Sequence, residues 1–321
     1  MSNPSPWADL SRPPLRQGPL RRAVVDGLGP WTALDVLPRV GSTNEELRRR
    51  AASGEARAGA VLTTDHQDAG RGRRDRTWTT PPRSSVTVSV LLVPGSVPQL
   101  RWSWLPLLGG VGVRDALVRV AGVPAELKWP NNVLVPREVP AAPGTPRGKV
   151  CGVLAEMVQT PDGPGVVLGM GLNVSQQPAE LPVADAVSLV GLGAATTDRD
   201  TVLRAVLRAV GVRYDAWVAA AGDPRTSGLG AAYREACATI GRSVRVVLPG
   251  GAELVGTAEG VDDEGRLLVA DRSDEVTALA AGDVIHVRPG EAGGEAGGEA
   301  GGEARGEPRR EVPPDPGAER A

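Results

Sequence analysis

Polar and hydrophobic residues recur with the spacing of strands and helices along most of this chain. Residues 85–93 begin by alternating valine with polar side chains, which predicts a strand with one buried face. Ser42-x-x-Glu45 is a capping box, so a helix is predicted over residues 44–52. The other predicted elements are strands at 59–64, 126–135, 149–159 and 166–174 and helices at 98–121, 200–221 and 231–239.

The pattern changes near residue 243, where short apolar runs alternate with turn sequences. Pro-Gly-Gly and Asp-Asp-Glu-Gly separate these runs, as hairpin turns do. We therefore expect a small all-β domain, most simply a five-stranded barrel. Its predicted strands are 244–248, 253–260, 267–270, 275–279 and 284–287.

The two ends of the chain differ from the middle. Residues 290–321 repeat Gly-Glu-Ala-Gly and lack apolar residues to bury, so they are predicted to be disordered. Residues 1–35 are rich in proline and arginine, which predicts an arm or a single short helix. The expected fold is α/β (α+β), with a mixed domain at 36–240 and the β domain at 241–289.

Composition narrows the class of protein. Cys151 and Cys237 are far apart in sequence, which argues against a disulfide framework or a cysteine zinc site. No apolar run reaches the roughly 18 residues of a membrane span, and the start of the chain lacks a signal-peptide pattern, so we expect a cytoplasmic protein without a membrane partner. The formal net charge of −2 argues against a strongly basic nucleic-acid surface.

The loop from Gln67 to Trp78 carries the strongest chemical signal. Its glycines would let the backbone approach an anion, and its guanidinium groups would bind a phosphate or carboxylate through paired hydrogen bonds. Trp78 offers a flat face on which a base could stack. The structural alternative is a solvated charged loop beside a core tryptophan. The residues concerned are Gly70, Arg71, Gly72, Arg73, Arg74 and Arg76.

Three further segments hold the only two lysines of the chain and three of its five asparagines. They are Lys128-Trp-Pro-Asn-Asn132, Gly148-Lys149-Val-Cys-Gly152 and Gly169-Met-Gly-Leu-Asn173. Lysine in an otherwise arginine-rich chain indicates a need for a compact ammonium. A Pro-Asn turn, a lysine at a sheet edge and a bulge are the structural alternatives. Taken together, the segments favour a site for a polar, anionic ligand.

These segments resemble those of the biotin–protein ligase family, in the same order along the chain. The resemblance extends from about residue 39 to residue 288. It is carried by Gly-Ser-Thr-Asn at 41–44, Gly-Arg-Gly-Arg-Arg at 70–74, Lys-Trp-Pro-Asn at 128–131, Gly-Lys-x-x-Gly at 148–152 and Gly-x-Gly-x-Asn-Val at 169–174.

The resemblance implies a mixed-sheet catalytic domain of the biotin/lipoate ligase type, followed by a small Src-homology-3-like β-barrel. It implies an enzyme that uses ATP and Mg2+ to activate biotin as biotinyl-5′-AMP. The biotinyl group would then pass to a lysine of a biotin carboxyl carrier protein domain of a carboxylase. Mg2+ would arrive with ATP, without a metal site of the protein's own.

The resemblance also implies roles for individual residues. Catalytic roles fall to Lys149, Arg71, Arg73 and Lys128. The biotin site would comprise Ser42, Thr43, Asn44, Gln67, Gly70, Arg71, Lys149 and Gly152. The nucleotide site would comprise Arg73, Arg74, Trp78, Asn131, Asn132 and Asn173.

Two positions depart from the family pattern, because Asn132 and Asp75 stand where the family usually has Asp and Gly. Residues 1–35 are too short for the DNA-binding domain of some members, so we expect no DNA partner. Lipoate–protein ligase, a non-catalytic biotin- or nucleotide-binding regulator and a nucleic-acid-binding module are the alternatives. The sequence leaves a homodimer open.

Overall fold

A seven-stranded mixed sheet forms the centre of the molecule. In the computed structural model, residues 11–27, 29–74, 76–137 and 146–286 are described. The strands lie in the order β1-β2-β3-β7-β6-β5-β4, with β1 and β2 parallel and all other neighbours antiparallel. Their bounds are β1 Ala33–Leu37, β2 Ala60–Thr64, β3 Ser85–Leu92, β4 Glu126–Lys128, β5 Asn132–Pro136, β6 Arg147–Thr160 and β7 Gly163–Asn173.

Helices cover both faces of this sheet. The helices are α1 Gln17–Val25, α2 Thr43–Ala52, α3 Trp104–Ala116, α4 Arg199–Ala219 and α5 Leu229–Ala236. Val88 and Val90 of β3 belong to the large core that contains α3 and α4. Leu91 of the same strand belongs to a smaller core with Leu47 of α2. Because side chains alternate across a strand, α2 lies on the opposite face from α3 and α4.

Strand β3 departs from its predicted half-buried character, because every residue in it is buried. Its valine face packs in the large core, as predicted. The other face carries the hydroxyls of Ser85, Thr87 and Ser89, which are buried beside α2 and the cavity described below. Alternation therefore predicts the strand correctly but misplaces its polar face, which meets protein instead of solvent.

Residues 243–286 form a second sheet, which has five antiparallel strands. The five predicted strands are confirmed. Among the described residues the hydrogen-bonded order is linear, β11-β10-β9-β8-β12, so the sheet is open between β11 and β12 and does not close into a hydrogen-bonded barrel. The bounds are β8 Ser243–Val247, β9 Glu253–Val261, β10 Leu267–Ala270, β11 Val276–Leu279 and β12 Asp283–His286.

Two buried tryptophans join the second sheet to the first. Trp104 Nε1 of α3 donates to the carbonyl of Asp263 at 2.8 Å. Trp129 Nε1, in the turn after β4, donates to the carbonyl of Gly265 at 3.1 Å. Both indoles are almost fully buried, so each contributes apolar area and one satisfied polar group to the junction.

The α/β class and the strand–helix order are confirmed, with shifts at several boundaries. The helix expected from residue 98 begins at Trp104, after a short separate turn at Gln99–Arg101. The extended run expected at 126–135 is two strands joined by a turn that contains a cis Trp129–Pro130 bond. Of residues 1–35, the described part contains α1. The expectations for residues 290–321 and for Asp75 lie outside the described residues.

Among the described residues, no helix combines the length and the apolar character that crossing a membrane requires.

The packing of α3 on α4 makes a testable demand on Gly112. A Cβ atom at this position would lie 2.6 Å from Val210 Cγ2 and 2.9 Å from Val210 Cα, inside the buried helix–helix contact. Because overpacking forces the helices apart, Gly112→Ala should lower the free energy of unfolding by about 1–3 kcal/mol. Urea denaturation measures this loss. Gly95→Ala is the matched control, because a Cβ there meets no atom within 4 Å. An equal effect in both variants would contradict the packing argument.

Candidate active site

A cavity of about 1030 Å³ lies over β3, β6 and β7. This volume stands at the upper end of the range for small-molecule sites, roughly 300–1,000 Å³. The arginine loop, a name used here for the described residues 70–74 and 76–78, forms one wall, and the N-terminus of α2 forms another. The turn between β4 and β5 and the segment 182–186 form two more, and β8 and β12 contribute the last. Both sheets therefore contribute to one site.

A chain of buried polar side chains lies at the α2 end of this cavity. Ser42 caps the helix, as predicted, and accepts from the backbone of Glu45. The backbone and hydroxyl of Thr43 donate to Gln67 Oε1 at 2.8 and 3.1 Å. These bonds fix the Gln67 amide, so that its Nε2 group is left without a partner among the described residues.

Ser89 and Glu156 complete this polar chain. Asn44 Nδ2 donates to Glu156 Oε2 at 2.8 Å, which leaves Asn44 Oδ1 as an acceptor. Ser89 Oγ lies 2.6 Å from that oxygen and 2.8 Å from Thr43 Oγ1. The Thr43 hydroxyl gives its proton to Gln67, so the single Ser89 proton can serve only one of these two oxygens at a time. These contacts link the side chains to one another, and the Gln67 amide and the Ser42 hydroxyl remain at the cavity wall for a ligand.

Glycines in β6 and β7 form the floor of the cavity. A Cβ on Gly169 would lie 2.1 Å from Asn44 Oδ1, and one on Gly171 would lie 2.6 Å from the Trp78 indole. A Cβ on Gly152 would lie 3.2 Å from Lys149 Nζ. Each glycine therefore leaves the space that a site side chain occupies.

Both lysines of the chain face this cavity. Lys149 opens onto it from β6, with its Nζ 5.4 Å from the centre of the Trp78 ring. Burial lowers the pKa of Lys149 and of Lys128, and Asp185 opposes this effect at both. Among the described residues neither ammonium has a carboxylate within the 4.0 Å of an ion pair. Two partly desolvated, unpaired cations favour an anionic ligand.

The four arginines of the arginine loop divide into two groups. Arg71 binds Glu45 at 2.8 Å and lies 3.6 Å from Glu156, on the α2 side. The other three turn to the C-terminal sheet. Arg73 donates to the carbonyl of Gly282 at 3.4 Å, and burial lowers its pKa. Arg74 and Arg76 both bind Asp283.

The three asparagines of the predicted nucleotide site all line the cavity, but their amides make different hydrogen bonds. Asn131 Nδ2 donates to the carbonyl of Val153 at 2.8 Å. Asn173 donates to the carbonyl of Val187 at 3.0 Å and accepts from Gln176 at 3.0 Å, so both ends of its amide are occupied. Asn132 makes no hydrogen bond through its side chain to the described residues. Among the described residues, the Asn132 amide is free for a ligand at both ends, and Asn131 keeps a free Oδ1.

Comparisons with known proteins identify the family. Residues 36–173 match the family model described as "Biotin/lipoate A/B protein ligase family", and residues 239–287 match the one described as "Biotin protein ligase C terminal domain". The chain is 43% identical over 283 residues to the biotin–[acetyl-CoA-carboxylase] ligase of Mycobacterium tuberculosis, covering 87% of this chain and 98% of the relative. The chain belongs to the biotin protein ligase family.

Other relatives and solved structures agree with this biotin protein ligase fold. The bifunctional ligase/repressor BirA of Escherichia coli is 26% identical over 261 residues, which is 80% of this chain and 74% of that protein. The structure of a biotin protein ligase from Aquifex aeolicus in complex with biotin and ATP aligns with a TM-score of 0.64 at 26% identity. That alignment covers 81% of this chain and all of the other.

Sequence reasoning gave no site role to four polar residues in or beside this biotin protein ligase cavity, although the pairing of Glu156 with an arginine was expected and is seen with Arg71. Ser89 and Glu156 serve the buried polar chain, and Asp185 and Asp283 are the carboxylates among the described lining residues. Ser89 had a signal, because it is polar in a strand whose neighbours are valine and leucine. The two aspartates had none, since they come from a loop and from the other sheet.

His286 links the Lys-Trp-Pro-Asn turn of this ligase to β12. Thr239 Oγ1 accepts from the backbone of Trp129 at 3.3 Å and lies 3.2 Å from His286 Nε2. The Thr239 hydroxyl can therefore donate to an unprotonated Nε2. Burial lowers the pKa of His286 to about 4, and the positive charges of Lys128 and Arg242 add to this effect.

This arrangement predicts a loss of stability in acid. The unfolded chain takes up the proton near the ordinary histidine pKa of about 6.5, whereas folded His286 resists it until about pH 4. The contribution of His286 is therefore complete above pH 6.5 and falls as the pH drops toward 4. Urea denaturation at several pH values should show a shallower fall for His286→Gln than for the wild type. If the free energy of unfolding fell equally with pH in both proteins, His286 would not be the source of the acid sensitivity.

Proposed function

We propose that this protein is an ATP-dependent ligase that activates biotin as biotinyl-5′-AMP and transfers it to a specific lysine of a biotin carboxyl carrier protein. The observation that carries the proposal is the cavity itself. It places the two lysines of the chain and the arginine loop around a space whose α2 end is a fixed array of polar groups. The 43% identical ligase and the Aquifex complex with biotin and ATP support the same substrates.

In the first half-reaction, a carboxylate oxygen of biotin attacks the α-phosphorus of ATP. The new O–P bond makes a mixed anhydride of biotin and AMP, and the bond from the α-phosphorus to the bridging oxygen of the β-phosphate breaks, which releases pyrophosphate. Negative charge builds on the phosphoryl oxygens during this step. Fixed cations that are already desolvated stabilise such charge without reorganisation, which is how Lys149 and Lys128 would act.

In the second half-reaction, the neutral ε-amine of the carrier lysine attacks the biotinyl carbonyl carbon. A C–N bond forms, the C–O bond to phosphate breaks, and AMP and a proton leave. No covalent intermediate on the enzyme is needed. Cys151 is consistent with this, because burial raises the pKa of its thiol to about 12 and so keeps it protonated.

The polar chain at the α2 end fits the ring of biotin. A cyclic urea presents one acceptor oxygen and two N–H donors, and the Gln67 amide and the Ser42 hydroxyl are the groups left available there. Thr43 and Asn44 would act indirectly. Thr43 would fix the Gln67 amide, and Asn44 would pack against the glycine floor. Gly70 and Arg71 would cover the bound ring, and Gly152 would line it.

The opposite end of the cavity fits a nucleotide. Trp78 presents an indole face beside Lys149, Arg73 and Arg74 lie near the rim, and Asn132 has a free amide. We assign these residues to ATP. Asn131 would hold the turn after β4 through its Nδ2 and offer its free Oδ1 to the nucleotide, whereas Asn173, engaged at both ends of its amide, would hold the segment near Val187 in place.

Magnesium fits this site as an ion that accompanies ATP. No three histidine, cysteine or acidic side chains among the described residues are grouped to hold a metal. Mg2+ commonly binds substrate phosphates with one or two protein oxygens, and Asn132 and Asp185 offer such oxygens here. When bound, the ion would neutralise charge on the triphosphate.

The proposal includes the domain division expected from the sequence, with catalysis at 36–240 and a smaller domain at 241–289. The two family matches and the position of β8 to β12 support it. It also includes a cytoplasmic location, where ATP and carboxylases would be available.

ATP–pyrophosphate exchange tests the adenylation step directly. We expect exchange that requires biotin and Mg2+ and is absent with lipoate, because the buried polar chain matches a urea ring and a dithiolane has no groups to pair with it. Exchange that occurs with lipoate and not with biotin would identify lipoate as the substrate. A folded protein without exchange in either case would support the non-catalytic alternative.

Lys149 should be essential for adenylation. Removing a buried group that stabilises charge in the transition state costs about 10²–10³ in rate, so Lys149→Ala should lose exchange by at least about 100-fold while its melting temperature is kept. Lys149→Arg should recover little, because the guanidinium is larger and planar. Arg57→Ala, which removes only an exposed ion pair to Asp162, is the control. Normal exchange in Lys149→Ala would rule out the role.

A further inference from the structure

The carboxylate of Glu156 holds one end of the Asn44 amide. Glu156 belongs to β6, and its Oε2 accepts from Asn44 Nδ2 at 2.8 Å. The same Nδ2 lies 3.3 Å from the carbonyl oxygen of Leu154. An ionised carboxylate only accepts hydrogen bonds, so the nitrogen of the amide has to face it. The Glu156 side chain is 18% exposed, and this contact is therefore largely shielded from water.

The orientation of the Asn44 amide decides what the rest of the polar chain can bind. With Nδ2 on Glu156, the Oδ1 atom faces Ser89 Oγ at 2.6 Å. Ser89 Oγ also lies 2.8 Å from Thr43 Oγ1. The hydroxyl of Thr43 gives its proton to Gln67, so the Thr43 and Asn44 oxygens share the single proton of Ser89.

The polar chain therefore has one acceptor more than its own protons satisfy. Among the described residues, no donor other than Ser89 reaches Asn44 Oδ1 or Thr43 Oγ1, and both side chains are buried in the cavity wall. A buried acceptor without a donor is unfavourable, so the array favours a ligand that brings an N–H group. Gln67 Nε2 beside it is a donor. An N–H group next to a carbonyl, as in a cyclic urea, satisfies both.

The opposite orientation of Asn44 would remove this free acceptor. Its Nδ2 would donate to Ser89, and Ser89 could then give its own proton to Thr43. The polar chain would be satisfied from within and would offer no acceptor to a ligand N–H group. The Glu156 carboxylate excludes this arrangement, because two acceptor oxygens would then face each other at hydrogen-bond distance.

From this geometry we infer that Glu156 is a positioning residue that sets the specificity of the ring site. It acts through Asn44, keeping one acceptor free for the N–H group of a ligand, and needs no contact with the ligand itself. The choice of biotin as that ligand rests on the proposed function. The coupling of Glu156 to Ser89 through Asn44 does not.

Calorimetric titration of biotin into the protein tests this role without ATP. Glu156→Met removes both acceptor oxygens and keeps the length of the side chain. The dissociation constant for biotin should rise at least about tenfold, as for loss of a hydrogen bond to a charged group. Glu156→Gln keeps one acceptor oxygen and should recover most of the affinity. In pyrophosphate exchange, Glu156→Met should raise the KM for biotin and change the KM for ATP by less than about twofold.

Glu45→Gln is the matched control for an effect that runs through Arg71. Glu45 is the closer carboxylate partner of Arg71, at 2.8 Å, whereas Glu156 lies 3.6 Å from it. Glu45→Gln should leave the affinity for biotin unchanged. An equal loss in this control would overturn the inference, as would wild-type affinity in Glu156→Met or a Glu156→Gln variant as weak as Glu156→Met.

A double variant tests the coupling through Asn44. Ser89→Ala removes the hydroxyl at the other end of the same amide. If both residues act through Asn44, the double variant Ser89→Ala/Glu156→Met should bind biotin about as weakly as the weaker single variant, because coupled effects do not add. Losses that multiply would overturn the inference. Thermal unfolding checks each variant, and Glu156→Ala, which removes the same oxygens, takes the place of Glu156→Met if that variant is unfolded.

The titration also distinguishes this inference from the proposed function. Wild-type protein that binds no biotin and shows no exchange would refute the proposed function. The coupling of Ser89 and Glu156 would then be tested by the same double variant in urea denaturation, where additive losses in the free energy of unfolding would overturn it. Equal binding of biotin by the wild type and Glu156→Met would refute the inference and leave the proposed function in place.

Discussion

The site is organised by unbalanced positive charge. Lys149 and Lys128 are largely removed from water, and none of the described carboxylates approaches either one closely enough to form an ion pair. Burial of a cation without a partner is unfavourable, and the lowered pKa of each lysine expresses that cost. A bound anion would relieve it. The glycine floor, the indole of Trp78 and the arginine loop can all be understood as the surroundings that place such an anion beside the two ammonium groups.

The arrangement depends on contributions from both sheets. Strand β6 presents Lys149, and the last residue of β4 is Lys128, while Trp129 in the turn that follows is buried at the junction with the second sheet. The end of β4 and its turn therefore contribute to the site and to the packing between sheets. Asp283 adds a second connection at the rim. A change in how the sheets pack would move the cations relative to the floor.

Sequence patterns were sufficient to predict the elements of the fold that depend on the spacing of nearby residues. The N-cap at Ser42 and the hairpin of β6 and β7 follow from residues close together in the chain, whereas the Glu45 half of the predicted capping box is wrong, because that carboxylate binds Arg48 and Arg71. The family resemblance brought the motif residues to one site. The contacts of Ser89 with Asn44, and of Asp283 with Arg74, join residues 45 and 209 positions apart. Such pairs are set by tertiary packing, which periodicity does not report. For the same reason the engaged amide of Asn173 could not be foreseen.

The polar face of β3 has a consequence for how this enzyme could be changed. Ser85, Thr87 and Ser89 are buried hydroxyls on a central strand, where apolar side chains would bury more favourable area. Selection for thermal tolerance alone would therefore favour valine or alanine at these places. Such a chain would hold its shape at higher temperature and lose the polar contacts that Ser89 makes with Thr43 and Asn44 beside the cavity. On this strand, stability of the core and polarity beside the cavity place opposite demands on the sequence.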